Sequence, residues 1–205
     1  MGQHAEIQQH RKKLKQGVYL TLTHLRINLG FIFPLAMLIL GHMKLPLFVT
    51  GSALVLVGAG LRLYSAGVLR KDKRLQRTGP YALCRNPLFL GTIILMLGFA
   101  FLSGSWTLVV LTLVVFWSVY MWVILLEERW LLEVFGESYG EYLRTTPRLL
   151  PTFRSLSASF TRVPYSFAQA RANHELKTTV AGVVGVLLFL VKYALELWIL
   201  PFSLW

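Results

Sequence analysis

The chain has 205 residues, 55% of them hydrophobic and 15% charged. One domain is the natural expectation at that length, and a soluble core does not need so much apolar sequence, which points to a membrane protein. There is one cysteine, Cys84, so an intrachain disulfide is excluded; the net charge of +12 suits nucleic acid by sign, but its distribution along the chain argues against that partner.

The start, "MGQHAEIQQHRKKLKQG", is polar for too long to be a cleavable signal peptide. Gly2 is followed by Glu6 where a Ser or Thr would mark myristoylation. The first apolar stretch covers about residues 18–40 and carries Arg26 and a kink candidate, Pro34. "GHMKLP" makes a turn, and a second stretch runs over about 47–69 with Arg62 inside. Residues 70–85 form a basic connector. The 41 residues from Asn86 to Leu126 carry no charge, too many for one crossing of about 20 residues. "SGS" at 103–105 divides them into a short helix, about 88–102, and a full-length one, about 106–126. Residues 127–177 are mixed and polar. A fifth span covers about 178–200, where Lys192 and Glu196 stand four apart and can pair on a helix. No repeat or low-complexity tract is present. The expected fold is all-α: one polytopic membrane domain, residues 1–205, with about five transmembrane helices, core motifs in 66–151, and an amphipathic segment plus the last helix in 152–205.

Lys and Arg set the orientation. Residues 1–17 hold four, 70–85 six and 129–177 seven, whereas the opposite loops hold only Lys44. The basic face is expected to be cytoplasmic, with the N-terminus inside. Topology and anionic lipid headgroups account for the charge without nucleic acid.

Two stretches carry the chemistry. "RTGPYALCRNPLFLG", residues 77–91, places stiff polar backbone where the chain enters the membrane. Asn86 is expected to cap the short helix, with Pro87 in its first turn. Such an N-terminus, with Arg85 beside it, makes an anion site; a well-capped helix with a basic flank is the plainer alternative. "LLEERWLLEVFGESYGEYLRTTPRLLP", residues 125–151, places Glu127 and Glu128 just after the charge-free span, on a helix expected to stop at Gly136. A carboxylate at the interface either has a partner or function, accepting for instance two ribose hydroxyls, or simply faces headgroup water. His24, Arg26 and Arg62 either pair or snorkel, and Arg62 is expected to pair with Glu127 or Glu128. Cys84 reads as packing. Tyr139 and Tyr142 read as interface anchors. "RANHELK", residues 171–177, either covers the pocket or lies on the membrane. His and Cys show no metal spacing, and there is no phosphate loop or hydrolase elbow.

"GPYALCRNPLFLG" followed about 40 residues later by "EERWLLEVFGESYGEYLRTTPRLLP" resembles the isoprenylcysteine carboxyl methyltransferase and phospholipid methyltransferase group. Its members typically read G-P-Y-x-x-x-R-H-P-x-Y-x-G, then E-E-x-x-L-x-x-x-F-G-x-x-Y-x-x-Y, then P-R-x-x-P. The match covers about residues 66–151. The resemblance implies transfer of a methyl group from S-adenosylmethionine, bound in a pocket at the cytosolic face, to an apolar or lipid-like acceptor that enters from the bilayer. Carried over by position, Tyr81, Asn86, Pro87, Leu88 and Phe89 line the cofactor pocket, and Lys73, Arg74, Leu75 and Gln76 wrap it through backbone atoms. Glu127 holds the ribose with Glu128 as neighbour or substitute; Arg85, Glu127 and Glu128 are the candidate catalytic residues. The sequence departs from the pattern at Asn86, usually His, and at Phe89, usually Tyr. Asn does not titrate near neutrality, so acid–base work there is in doubt. Val123 stands where the isoprenylcysteine enzymes place an Arg that meets the substrate carboxylate, which puts a prenylcysteine acceptor in doubt and makes Val123 a candidate substrate-binding position. The reaction implied is direct displacement at a sulfonium, in which the protein supplies orientation. No convincing buried base for an ammonium acceptor stands out, so an acidic or thiol acceptor is slightly favoured. Two alternatives stay open: an NADPH-dependent sterol or steroid reductase using the basic cluster at 70–77, and a lipid-binding pseudoenzyme.

Overall fold

A computed structural model describes residues 25, 28–42, 44–70, 75–152, 155 and 163–199. Within them the chain is helical: α1 (Asn28–Leu40), α2 (Leu45–Val68), α3 (Pro80–Leu83), α4 (Pro87–Leu102), α5 (Trp106–Phe135), α6 (Glu137–Thr145), α7 (Phe167–Ala172) and α8 (Glu175–Ile199). Three of these, α2, α5 and α8, are long and apolar enough to cross a membrane, while α1 and α4 are shorter apolar helices. The five apolar segments expected from the sequence are thus present, the first in part, since residues 18–24 as well as His24 and Arg26 lie outside the described residues.

Helix lengths position the site. A helix rises about 1.5 Å per residue and the hydrocarbon core is about 30 Å thick, so about 20 residues cross it. The 30 residues of α5 overshoot, and a crossing that starts at Trp106 is complete near residue 126. Glu127 and Glu128 therefore emerge at the boundary. The 16 residues of α4 fall short, so its first turn is recessed. Antiparallel packing agrees: the Phe89 and Tyr120 rings meet edge to face at 5.6 Å. The connector before α4 must then dip into the headgroup layer to reach it, which explains the stiff, polar sequence there.

Ser105 caps α5 by accepting from the Leu108 N–H at 3.4 Å. At the other end Gly136 stops the helix with φ +56°, a conformation that strains any side chain.

α2 and α4 form the tightest seam. A Cβ at Gly58 would lie 2.6 Å from the Leu95 nitrogen and 2.7 Å from the Gly91 oxygen, and one at Gly51 would lie 2.6 Å from the Gly98 oxygen. Glycines seven apart on each helix let the backbones touch, as small residues do between membrane helices. Beyond the seam, Val55, Leu95, Phe99, Leu102, Phe116, Tyr120 and Phe189 fill one core. Phe33 and Phe116 meet edge to face at 5.5 Å, and Phe116 stacks on Tyr120 at 5.3 Å. Outward faces carry Val110, Val114, Trp117, Leu187 and Val191, all exposed, as lipid-facing positions require.

At the end away from the connector, Lys192 donates to the carbonyls of Leu38 at 2.6 Å and Gly41 at 2.5 Å. It also pairs with Glu196 at 3.5 Å, as their spacing allowed. A cation on carbonyls left open at a helix C-terminus ties α8 to α1.

Candidate functional site

The recessed start of α4 meets the overshooting end of α5 in a buried ionic knot. Glu128 is 6% exposed. Its Oε1 accepts from Arg85 Nε at 3.0 Å and Asn86 Nδ2 at 3.2 Å, and its Oε2 accepts from Arg148 Nε at 3.0 Å. Arg85 also donates to the Leu143 carbonyl at 2.9 Å and to that of Thr146, and Asn86 donates to the Arg148 carbonyl at 3.0 Å. The Arg85 backbone N–H donates to the Pro147 carbonyl at 2.9 Å. Three sequence motifs, around residues 85, 128 and 148, are thereby joined at one carboxylate. A buried ion pair of this kind persists only where further hydrogen bonds satisfy both partners, which they do here.

The knot corrects two expectations. Asn86 occupies the N-cap position of α4 but makes no side-chain cap hydrogen bond, while its Nδ2 donates to Glu128 and to the Arg148 carbonyl. Arg85 is committed likewise, so it does not supply a free cation to an anion site. Arg148 was not singled out among the site residues, although it stands inside the quoted P-R-x-x-P stretch.

Glu127, one residue earlier, is half-buried. Adjacent helical positions point about 100° apart, so the two acids face different surroundings. Val123 is 1% exposed and packs with Ile124, Phe116 and Tyr120 in the core, one turn before Glu127.

The connector folds down on this knot. Gln76 is buried and donates to Thr78 Oγ1 at 2.7 Å, and Leu75 is half-buried. Lys73 and Arg74 lie outside the described residues. Arg77 reaches α6, donating to Ser138 Oγ at 2.8 Å and to the Ser138 carbonyl, with its guanidinium 5.9 Å from the Tyr142 ring centroid. The Tyr142 hydroxyl donates to the Tyr81 carbonyl at 2.6 Å. Tyr139 and Tyr142 are both buried and meet edge to face at 5.8 Å. They are struts between α6 and the connector, which corrects their reading as interface anchors. Burial pushes both phenols above their ordinary range, so they stay neutral donors. Pro87 and Phe89 are buried and Leu88 is half-buried at the start of α4. Cys84 is fully buried, and burial pushes its thiol up to about 12.

Tyr81 is different. Its side chain is buried, and its hydroxyl has no hydrogen-bond partner among the described residues. Buried polar groups are nearly always paired, and Tyr81 and Ser52 are the buried residues whose side-chain hydroxyls lack a partner among the described residues. Burial first, then its neighbours Tyr142, Glu127, Cys84 and Glu175, hold its pKa well above the usual tyrosine range.

Arg62 pairs with neither Glu127 nor Glu128. Its Nε donates to Glu175 Oε1 at 2.6 Å, and its Nη1 donates to the Leu88 carbonyl at 3.2 Å and to Thr92 Oγ1. Glu175 opens α8 and follows a segment seated on the end of α2. There Ser166 N–H donates to the Gly67 carbonyl at 3.1 Å, Tyr165 stacks on Tyr64 at 6.1 Å, and Asn173 Nδ2 donates to the carbonyls of Ala66 at 2.7 Å and Leu69 at 3.0 Å. These contacts seat the segment that includes Asn173 on the connector end of α2. Among the described residues, no group of three or more His, Cys, Asp or Glu is placed to hold a metal ion.

The segment from α2 to α5, which carries the Gly-Pro-Tyr connector and Glu128, is the part of the chain that comparison with known proteins relates to methyltransferases. Residues 46–138 match the family described as Phospholipid methyltransferase. Over 112 residues the chain is 32% identical to the Protein-S-isoprenylcysteine O-methyltransferase of Schizosaccharomyces pombe, covering 55% of this chain and 48% of that one. It is 35% identical over 130 residues to the Cobalt-zinc-cadmium resistance protein CzcN of Cupriavidus metallidurans, covering 58% and 59%. It is also 35% identical over 104 residues to the Nickel-cobalt-cadmium resistance protein NccN of Alcaligenes xylosoxydans xylosoxydans, covering 49% and 47%. Over this shared segment the chain is similar to the isoprenylcysteine carboxyl methyltransferase and phospholipid methyltransferase group. The matches span about half the length of these curated relatives. No solved structure matches the chain.

Proposed function

We propose that the protein transfers a methyl group from S-adenosylmethionine, bound at the cytoplasmic face, to an apolar or lipid-like acceptor that reaches the site from the bilayer. The observation that carries the reading is the buried Tyr81 hydroxyl without a partner among the described residues, on a phenol whose pKa half-buried Glu127 helps to raise. A buried donor and an acid that suits ribose hydroxyls fit that cofactor. The seventeen Lys and Arg of residues 1–17, 70–85 and 129–177, against Lys44 opposite, support the cytoplasmic placement.

When bound, the cofactor supplies a methyl group already activated by the sulfonium, so the protein's contribution is orientation and exclusion of water. Glu127 would accept from the ribose hydroxyls. Leu75, Gln76 and Tyr81 would line the ligand from the connector, and Pro87, Leu88 and Phe89 would bound it at the start of α4. Glu128 and Arg85 act through the knot, holding connector and α5 in register. Val123 gives the acceptor side an apolar wall; an ionised carboxylate there would be left unpaired, which favours an acceptor without one.

Calorimetry on the purified protein in lipid nanodiscs tests the reading directly. Binding of S-adenosylmethionine but not NADPH is the expected result. NADPH binding would support the reductase alternative, and binding of neither would leave the lipid-binding scaffold.

A further inference from the structure

Residues 163–173 form a strap that holds the connector at both of its ends. At the start, the Ser166 N–H donates to the Gly67 carbonyl at 3.1 Å, and the Tyr165 ring lies where a Cβ on Gly67 would stand. At the end, Val163 packs on Gly79: a Cβ there would meet Val163 Cγ2 at 2.9 Å and the Tyr64 hydroxyl at 3.5 Å. Tyr64 stacks on Tyr165 at 6.1 Å, so one ring pair links the two glycines that bracket the connector. Asn173 fastens the far end of the strap, donating to the Ala66 and Leu69 carbonyls at 2.7 and 3.0 Å, which the C-terminus of α2 leaves open. The strap lies beyond residues 46–138, the part of the chain that matches the family.

The strap joins α8 through a strained residue. His174 has φ +61°, a left-handed conformation that costs free energy for any residue with a Cβ. Such strain persists only where the surroundings impose it. Here the neighbours on both sides impose it: Asn173 is fixed to the end of α2, and Glu175 accepts from Arg62 Nε at 2.6 Å. Letting go of Asn173 frees His174 to relax, while Glu175 keeps α8 in place. The outer side of the strap is open, with Tyr165 43% and Phe167 57% exposed. A segment seated by a few hydrogen bonds and one ring stack belongs to the easily opened part of a fold.

We propose that residues 163–173 are a latch on the connector: turning about His174, they lift off Gly67 and Gly79 so that the connector opens for the methyl donor to enter and its demethylated product to leave, and they reseat to hold it shut. Hinges of this kind are residues at the ends of elements that absorb a change in φ and ψ away from the chemistry. The stored strain at His174 sets how readily the latch lifts, and the Asn173 hydrogen bonds oppose it. The inference rests on the methyltransferase reading above, which has the connector line the donor.

The test reads rates on the full-length protein in nanodiscs. Uptake of tritiated S-adenosylmethionine gives the association rate, and a chase with unlabelled ligand gives the release rate. Asn173→Ala removes both hydrogen bonds to α2 and should raise the two rates together by about tenfold. His174→Gly relieves the left-handed backbone, which outweighs the added freedom of glycine, and should lower both by about threefold. The strap touches the connector and not the ligand, so Kd should stay within about twofold in each variant, which also certifies an intact fold. Hydrogen exchange gives a readout apart from binding rates: residues 163–173 should exchange as a unit, faster in Asn173→Ala and slower with donor bound, while α8 stays protected. Rates that ignore both substitutions, an affinity loss in Asn173→Ala through release alone, or strap exchange that ignores the donor would overturn the latch. An unmodified protein that binds no S-adenosylmethionine would instead remove the methyltransferase reading, and the latch would lose its ligand with it.

Discussion

Replacing Glu128 by Gln tests the division of labour between the adjacent acids. The carboxylate accepts three side-chain hydrogen bonds, at 3.0, 3.2 and 3.0 Å, from Arg85, Asn86 and Arg148. Arg85 and Glu128 are 8% and 7% exposed at their side chains, whereas Arg148 is 41% exposed. The Arg148 contact is therefore screened and contributes little. The Arg85 contact is not: an amide keeps the shape but removes the charge and turns an N–H₂ toward donors. Breaking one partner of a buried pair costs about 3–5 kcal/mol. Arg85 keeps the Leu143 and Thr146 carbonyls, so the lower end, about 3 kcal/mol or two decades in the folding equilibrium, is expected. Equilibrium unfolding in mixed micelles by graded SDS measures it. Glu127→Gln is the matched control: its stability should change by less than about 1 kcal/mol, while S-adenosylmethionine affinity falls by about 1.5–3 kcal/mol. If Glu128→Gln unfolds at the unmodified protein's midpoint, or if Glu127→Gln is the destabilised variant, the assignment of knot and ligand acid is reversed and the reasoning fails.

Gly58→Ala places a methyl against backbone atoms of α4 that cannot swing aside, and should destabilise by about 1–3 kcal/mol in the same unfolding assay; Gly60→Ala, with nothing within 4 Å, should be neutral. Cys84, its thiol raised to about 12, should resist maleimide at pH 8 in the folded protein and react on unfolding; rapid labelling of the native state would contradict its burial. Because the unfolded thiol ionises from about 9 while the folded one stays protonated, Cys84 withdraws stability as pH rises from about 9 toward 12, a loss that Cys84→Ala should remove from alkaline unfolding curves. A reporter active only in the cytoplasm, fused after Trp205, should be silent, and a strong signal would invert the proposed topology. Base-labile methyl ester formation on farnesylcysteine should be weak; efficient esterification would mean that the missing Arg at position 123 is no barrier.

Much of the fold was legible because lipid imposes a coarse rule: apolar runs become helices, and Gly136 ends α5 where a positive φ is needed. The break between α4 and α5 follows from "SGS" alone. The glycine seam was in the sequence too, as Gly51 and Gly58 facing Gly91 and Gly98, but its meaning depends on which helices pair. The buried polar groups were harder. Arg62 was matched to the nearest acids in the motif, yet its partner is Glu175, which is distant in sequence and brought close by a segment whose path no periodicity encodes. Asn86 was expected to cap a helix because Asn before Pro usually does. In the fold its amide nitrogen donates to the buried Glu128 carboxylate, and its side chain makes no cap. Tyr139 and Tyr142 resembled a membrane belt until Arg77 drew α6 onto the connector.

The adjacency of Glu127 and Glu128 makes sense as geometry. The start of α4 is recessed and the end of α5 overshoots, so a carboxylate on α5 can clamp the connector only in the turn just past the hydrocarbon boundary. One acid there, facing α4, closes the knot and is neutralised by Arg85. A second acid at the next position points about 100° away and meets a different environment at the same depth. The helix thus presents one carboxylate to the knot and a second, half-buried one in a different direction at the same depth. Moving the pair a turn earlier would leave both acids in hydrocarbon, and a turn later would leave both in water. The 41 uncharged residues before Glu127 place it at the boundary between these failures.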